Sequence, residues 1–294
     1  MPTVYCFGHI STGKLYRIKD AYPHANGYGE IIEAVDNYCG EALSTGIVLK
    51  RLGVDIILEG NWLGDNEAGL RTLDFIKKQG IDCSGVLIKK DYIGVEEIVI
   101  SDNTSRTVFG RYCDLLFTTR QWEMPDPAKI ILANAACADP SFGEASNLVA
   151  EIASKHKIPF IAIDAHYESE LIEKSVVAII SEDFLLNKFK GKSYSEIFAK
   201  YLEKCNGLVI FTFGKDPLWY GRTAKKTMDP FIVEPLDTAG AGDAFRAGII
   251  YGLLNGYSDE QMIKFSCAVS ASVIQTSPGV INFKGMQDVE RFNI

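Results

Sequence analysis

The sequence predicts an α/β protein built on a doubly wound, mostly parallel β-sheet with helices on both faces. Three observations carry this. Short apolar runs alternate with helical patterns along the 294 residues. Most runs are apolar at consecutive positions, which suits strands covered on both sides by helices. Two further segments break the rhythm and read as a small additional sheet.

The elements follow in order. TVYCFG (3–8) reads as the first strand. Residues 14–36 are polar and dotted with glycine, with HANGYGE in the middle and the alternating EIIEAVD after it. A helix is expected over 41–52, then the strand VDIILE (54–59). The next helix covers 65–79; Asp65 can cap it and Gly80 can end it. Residues 92–113, YIGVEEIVISDNTSRTVFGRYC, read as two strands joined by an SDNTS turn. KIILAN (129–134), PFIAID (159–164), VVAIIS (176–181) and GLVIFTF (207–213) read as further core strands. Helices are expected over 141–157, 193–204, 240–256 and 258–276. Such alternation implies βαβ crossovers. Segments 14–36 and 92–113 hold strand patterns with no helix between them. They are expected to form a small antiparallel sheet, a lid over one end of the core; ordinary loop plus hairpin is the plainer alternative. No repeat, low-complexity tail or Pro-rich linker divides the chain, so 1–294 is expected to be one domain.

Composition removes several function classes. Hydrophobic residues make up 47% and charged ones 23%, as in an ordinary globular protein. A net charge of −8 argues against a nucleic-acid partner, which calls for a basic face. Seven Cys are scattered without a CxxC pair, so neither a disulfide framework nor a zinc site is suggested. Free thiols in a reducing compartment are expected. No apolar run approaches the length of a membrane span, and MPTVYCFGHI lacks the features of a signal peptide. A cytoplasmic location with no membrane partner is expected.

The most informative stretch is EPLDTAGAGDAFRAG (234–248). A helix N-terminus exposes unpaired N–H groups and partial positive charge. Gly and Ala there let the backbone approach an anion closely. Asp243, directly after this cradle, would be repelled by a bound phosphate unless it has chemistry to do. Accepting a proton from a hydroxyl that attacks a cradled phosphoryl group is one such task. Supporting the first helical turn is the other, and the loop alone leaves both open.

DTAGAGDAF (237–245) resembles the D-T-x-G-A-G-D-x-F signature of the ribokinase-like, PfkB-type carbohydrate kinases. Other segments agree in order. GNWLGDNEAG (60–69) resembles the family's G-x-x-G-x-D/N-x-x-G segment, and CGEALSTGIVLKRLG (39–53) its N-terminal glycine motif. VIFTFG (209–214) resembles its nucleotide-site strand, and QTSPGV (275–280) its late turn. The resemblance implies ATP-dependent phosphorylation of a hydroxyl on a sugar or sugar derivative. It implies Asp243 as the base, Gly240, Ala241 and Gly242 as the anion hole, and Thr212, Gly214 and Gly279 at the nucleotide. Asp237 and Thr238 match positions near which the family often holds a monovalent cation such as K+. Mg2+ is implied with ATP, and segments 14–36 and 92–113 fall where the family carries its lid, through which a homodimer is conceivable.

Departures from the pattern concentrate at the sugar end. The family's paired glycines are Cys39-Gly40 here, and its Asn position is Ser44. The sugar-binding Asp position falls in GHISTGK, with Gly13 in its place. The metal-organising N-x-x-E becomes Ser181-Glu182-Asp183-Phe184, which leaves Glu182 or Asp183 as candidates. Gly40, Ser44, Arg106 and Arg111 are candidate substrate contacts; the Arg pair suits a carboxylate or phosphate, or else consists of solvated edge-strand charges. R-x-V-F-G-x-Y (106–112) weakly resembles the fructoselysine kinase branch. His9, His24 and Asp164 are lesser candidates, Asp164 also suiting a cap. Trp62 and Trp219 suit packing better than a pocket. Two other classes stay open: a kinase-fold binding protein with weak turnover, and a nucleoside kinase.

Overall fold

The computed structural model describes residues 1–102, 105–112 and 118–294. The first strands are β1 (Thr3–Gly8), β2 (Ser11–Ile18), β3 (Ile31–Cys39) and β4 (Asp55–Gly60), with α1 (Glu41–Arg51) between the last two. Then come β5 (Leu63–Gly64), α2 (Glu67–Lys78), β6 (Ile88–Lys89), β7 (Glu96–Ser101) and β8 (Arg106–Gly110). The second half runs α3 (Pro127–Ile131), β9 (Ala135–Ala138), α4 (Glu144–Lys155), β10 (Phe160–Ile163), α5 (Glu170–Lys174), β11 (Val177–Ser181), α6 (Glu182–Lys188) and α7 (Tyr194–Lys204). It ends with β12 (Leu208–Phe213), β13 (Asp216–Gly221), β14 (Lys226–Met228), α8 (Ala241–Leu254), α9 (Asp259–Ile274) and short C-terminal turns.

The main sheet has eight strands in the order β14-β13-β12-β11-β10-β9-β1-β4. From β4 to β12 every pairing is parallel; β13 and β14 extend the edge as an antiparallel hairpin that the sequence pattern did not announce. Alternation along β1 shows why its apolar run is continuous. Val4 and Cys6 join a core with Leu43 and Ile47 of α1 and Ile249 of α8, while Tyr5 and Phe7 join a core with Val149 of α4 and Phe198 of α7. Each large side chain so buried contributes about 1.5–3 kcal/mol.

Two local expectations are corrected. KIILAN does not form a strand. Asp126 accepts a hydrogen bond from Ala128 N at 2.9 Å and Pro127 occupies the first turn, so a short helix starts there instead. The strand comes later, as the small-residue run Ala135–Ala138, too low in bulk to stand out by hydropathy. The second helix is capped by Asn66, which accepts from Gly69 N at 2.9 Å, rather than by Asp65; Gly80 follows its end at φ 70°.

The rhythm-breaking segments do pair with each other. They form a four-stranded sheet in the order β3-β2-β7-β8. It is not wholly antiparallel as expected: the central pair, β2 with β7, is parallel. Each is the first strand of its own hairpin and each leaves the core in the same direction, so side by side they run the same way. Asn103, Thr104 and Cys113, which belong to the expected lid segment, lie outside the described residues. The C-terminal ends of β10, β11 and β12, the loop before α8 and the inner face of the small sheet line one cleft. That is the end of an open α/β sheet where ligands bind.

Gly13 marks the tightest approach within the small sheet. It lies opposite Glu97, and a Cβ there would stand 1.7 Å from the Glu97 carbonyl oxygen. Gly13→Ala is expected to cost about 1–3 kcal/mol, the usual range for overpacking against backbone. Urea unfolding measures it; unchanged stability would show that β2 and β7 separate freely.

Candidate active site

The cleft encloses about 820 Å3. It brings together nearly all the residues proposed from sequence: Gly240, Ala241, Gly242 and Asp243; Thr212, Gly214, Asp237, Thr238 and Gly279; Gly40, Ser44 and Arg106; Glu182 and Asp183. Arg111 is the exception. It lines a second groove of about 380 Å3 on the other face of the small sheet. Side chains on a strand alternate, so residues five apart cannot share a face. Of the two, Arg106 reaches the loop before α8, its Nη1 donating to Thr238 O at 3.3 Å. His24 is exposed outside the cleft, and Trp219 packs among Phe198, Phe211 and Phe213.

The loop before α8 is held from below. Gly240 caps the helix at φ 75°, a left-handed conformation that favours glycine, and a Cβ there would meet Val280 at 2.4 Å. Gly242 faces open space, with nothing within 4 Å of where a Cβ would stand. The N–H groups of Gly242 and Asp243 have no carbonyl four residues earlier within the helix. Asp237 ties the loop in place: its oxygens accept from Ala239 N at 2.9 Å and Gly279 N at 3.2 Å. Burial raises the Asp237 carboxyl, partly offset by those two amides.

Beneath Asp243 lies a charged network that sequence reasoning missed. Arg246, one turn further along α8, is wholly buried. Its Nη1 donates to Asp139 Oδ1 at 2.8 Å, its Nε to Thr45 Oγ1 at 2.9 Å and its Nη2 to Glu41 O at 2.5 Å. The same Nη2 stands 3.8 Å from Asp243 Oδ1. Asp139 also accepts from His9 N at 2.8 Å, and His9 Nδ1 bonds Glu41 Oε2 at 2.7 Å. Burial pushes the Asp243 carboxyl well up; Glu41 and Asp139 push it further, while Arg246 and Arg106 oppose them. Burial opposes the charge on both His9 and Glu41, but their contact wins, raising the imidazole and lowering the carboxyl. One signal for Asp139 existed. Placing the strand at 135–138 would have put this acid directly at a strand's C-terminal end, the position that drew attention to Asp164.

His9, Glu41 and Asp139 offer ligand atoms within 4.8 Å of one another. Arg246 and the His9 amide already occupy the two Asp139 oxygens, so a second cation there would face a guanidinium. On the opposite side Asp164 accepts from Ser181 N at 2.7 Å and Ser181 Oγ at 2.9 Å. It thus joins the ends of β10 and β11 rather than capping its own turn. Ser181 Oγ in turn accepts from Phe184 N at 3.1 Å and caps α6, whose first turn presents Glu182 and Asp183. Six of the cysteines are free thiols.

The fold and this loop define a class: an α/β phosphotransferase with an alcohol acceptor. The chain belongs to the pfkB family of carbohydrate kinases, whose family model matches residues 1–283. It is 25% identical over 243 residues to the ribokinase of Bacillus subtilis, covering 77% of this chain and 78% of that one. It is 25% identical over 279 residues to the nucleoside kinase of Methanothermobacter thermautotrophicus, covering 91% and 88%. A crystal structure of a provisionally assigned ribokinase from Agrobacterium tumefaciens superposes with a TM-score of 0.87 at 22% identity, covering 99% and 96%. Among the described residues no helix is long and apolar enough to cross a membrane.

The network yields a test that separates scaffold from chemistry. Arg246→Met leaves Asp139 buried without its partner and is expected to cost about 3–5 kcal/mol. Adding Asp139→Asn removes that stranded charge and should recover much of the loss. In the double variant Asp243 still lacks its nearest cation. Loss of Arg246 raises the Asp243 carboxyl and loss of the Asp139 charge lowers it, so the reference is Asp139→Asn alone; relative to that variant the acid limb of kcat/KM moves upward. Urea unfolding and a pH–rate profile read the two effects; an unmoved acid limb would show that Arg246 does not tune Asp243.

Proposed function

We propose that the protein transfers the γ-phosphoryl group of ATP to a hydroxyl of a sugar or sugar derivative, with Asp243 as general base. One observation carries this reading: a partly buried carboxylate with a raised proton affinity stands in the first turn of α8, beside glycine-lined N–H groups that face an open cleft. An acid displaced upward from the ordinary carboxylate range accepts a proton from a hydroxyl better than an ordinary one. Gly242 and Asp243 N–H groups would stabilise charge on the transferring group's oxygens. Arg106 adds positive charge from the small sheet, which serves as the lid that excludes water. Similarity to a nucleoside kinase over 91% of this chain keeps a nucleoside acceptor as the second reading.

ATP fits the cleft at Thr212, Gly214 and Gly279, beside the exposed glycine of the cradle. Bound with it, Mg2+ supplies charge neutralisation and orientation of the phosphates. Glu182 and Asp183 are hard oxygen donors at the cleft that make no ion pair among the described residues, which suits second-shell contact to hydrated Mg2+. A monovalent cation such as K+ has a weaker case, since both Asp237 oxygens already accept N–H bonds. A homodimer through the small sheet is supported by Ile98 and Phe109, paired on its outer face and each about half exposed.

Asp243→Asn keeps size and removes the proton acceptor. Turnover, assayed as ADP release with a panel of sugars and nucleosides, should fall by about a hundred- to ten-thousand-fold with nucleotide binding retained. Near-normal turnover would remove Asp243 from the chemistry. The pair Glu182→Gln and Asp183→Asn should raise the Mg2+ concentration for half-maximal turnover. Stability should stay within about 1 kcal/mol, because helix-start charges are worth no more. An unchanged Mg2+ dependence would place the metal elsewhere.

A further inference from the structure

Glu97 is a carboxylate in the cleft that the chemistry above leaves unused. It lies on the inward face of β7 with 9% exposure. Its donors come from three places: Cys39 Sγ at the end of β3, the Tyr112 hydroxyl just past β8, and Asn37 Nδ2 at 3.5 Å. All three are neutral groups. Burial and the neighbouring Glu97 hold the thiol and the phenol well above their ordinary ranges, so both keep their protons and act as donors. Among the described residues no Lys, Arg or His forms an ion pair with it. Glu59, as deeply buried, shows the contrast: it pairs with Lys129 Nζ at 2.8 Å. Neutral donors recover part of a buried carboxylate's lost hydration, but they supply no counter-charge.

The register of the small sheet places this charge. Glu97 pairs with Gly110 and Ser101 with Arg106, so Arg106 and Glu97 share a face four residues apart, about 13 Å along the strands. Arg106 meets the catalytic loop through Thr238 O, whereas Glu97 stands beside Cys39, next to Gly40 at the start of α1. The recognition face is therefore cationic toward the phosphoryl end and anionic at its far end. We infer that Glu97 pairs with a cationic group of the substrate: besides its reacting hydroxyl, the acceptor carries a protonated amine at the end of the cleft remote from Arg106. This specificity rests on the kinase reading above, with an amine-bearing sugar as the acceptor class.

Matched pairs of sugars test it, near neutral pH with Mg2+ and ATP: glucose with glucosamine, fructose with 1-amino-1-deoxyfructose, and ribose with 2-amino-2-deoxyribose. In a pair that is turned over, the amine-bearing member is expected to have a kcat/KM about tenfold or more higher, carried by KM, as a charge-assisted contact allows. N-acetylation of that member, which removes the charge, should abolish the preference, and in Glu97→Gln the ratio should fall to about one. Neutral members used as well as amines by the wild type, or a ratio unchanged in Glu97→Gln, would overturn the inference while leaving the kinase reading intact. If no sugar or nucleoside releases ADP, the kinase reading fails, and Glu97 is judged by thermal shift alone. An amine-bearing sugar that raises the Tm of the wild type but not of Glu97→Gln then supports the cation site, and the absence of such a shift overturns it. Should Glu97→Gln not fold, the wild-type comparison of amine, hydroxyl and N-acetyl members decides.

Discussion

A guanidinium with no solvent exposure, between one carboxylate that it bonds and another that it only approaches, is the constraint on which this site depends. Arg246 spends its donors on Asp139, Thr45 and the Glu41 carbonyl, and approaches Asp243 without a direct hydrogen bond. These contacts join the end of β9, two turns of α1 and the first turn of α8. Asp139 extends the set, accepting from His9 N after β1 while its own carbonyl takes Ser146 Oγ of α4 at 2.6 Å. A buried ion pair is weak evidence for stability, since desolvation offsets much of its Coulombic gain. Its value here is geometric: it fixes the first turn of α8, with Asp243, relative to β9 and α1.

The same contacts set the electrostatics. Burial raises the proton affinity of Asp139 and Asp243; Glu41 adds to both, and Asp139 adds to Asp243. Without a cation such a cluster would hold its protons more tightly. Arg246 holds part of that charge in the ionised form, and His9 binds Glu41 and so quiets a second member. The Asp243 carboxyl is displaced upward while Arg246 opposes that displacement, the balance that the proposed role as general base calls for.

How much of this was legible in the sequence depends on range. The loop Gly240–Asp243 was legible because its physics is local: small residues, a helix start and one acid within a few positions. Most core strands were legible because burial on both faces leaves a continuous apolar run. Strand 135–138 was not, since Ala and Cys carry little hydropathy signal, and its misplacement hid Asp139. Arg246 was invisible for a different reason. An arginine in a helical pattern reads as a solvated face, and only the meeting of α1, β9 and α8 makes it a buried partner. Arg106 and Arg111 could have been separated by counting alone, because an odd spacing on a strand sends them to opposite faces.

Catalysis and recognition rest on different supports. The proposed base and its cradle begin α8, which packs against α1 and α9 in the main core, where Ile249, Ile250 and Ile263 have no exposure. Arg106 and Glu97 sit on a four-stranded sheet whose outer face leaves Ile98 and Phe109 half exposed and whose core is thin. A rigid scaffold under the reacting atoms preserves positions to which turnover is most sensitive. A small sheet with few buried side chains tolerates change and opens at lower cost. Gly13 shows how such change is accommodated. At Gly13, where the resemblance places a sugar-binding acid, close approach of β7 leaves no room for a Cβ, while β7 itself brings Glu97 to the cleft. On the proposed reading Glu97 serves recognition from a neighbouring strand, and the loop at 240–243 is independent of it because the two are not built on the same elements.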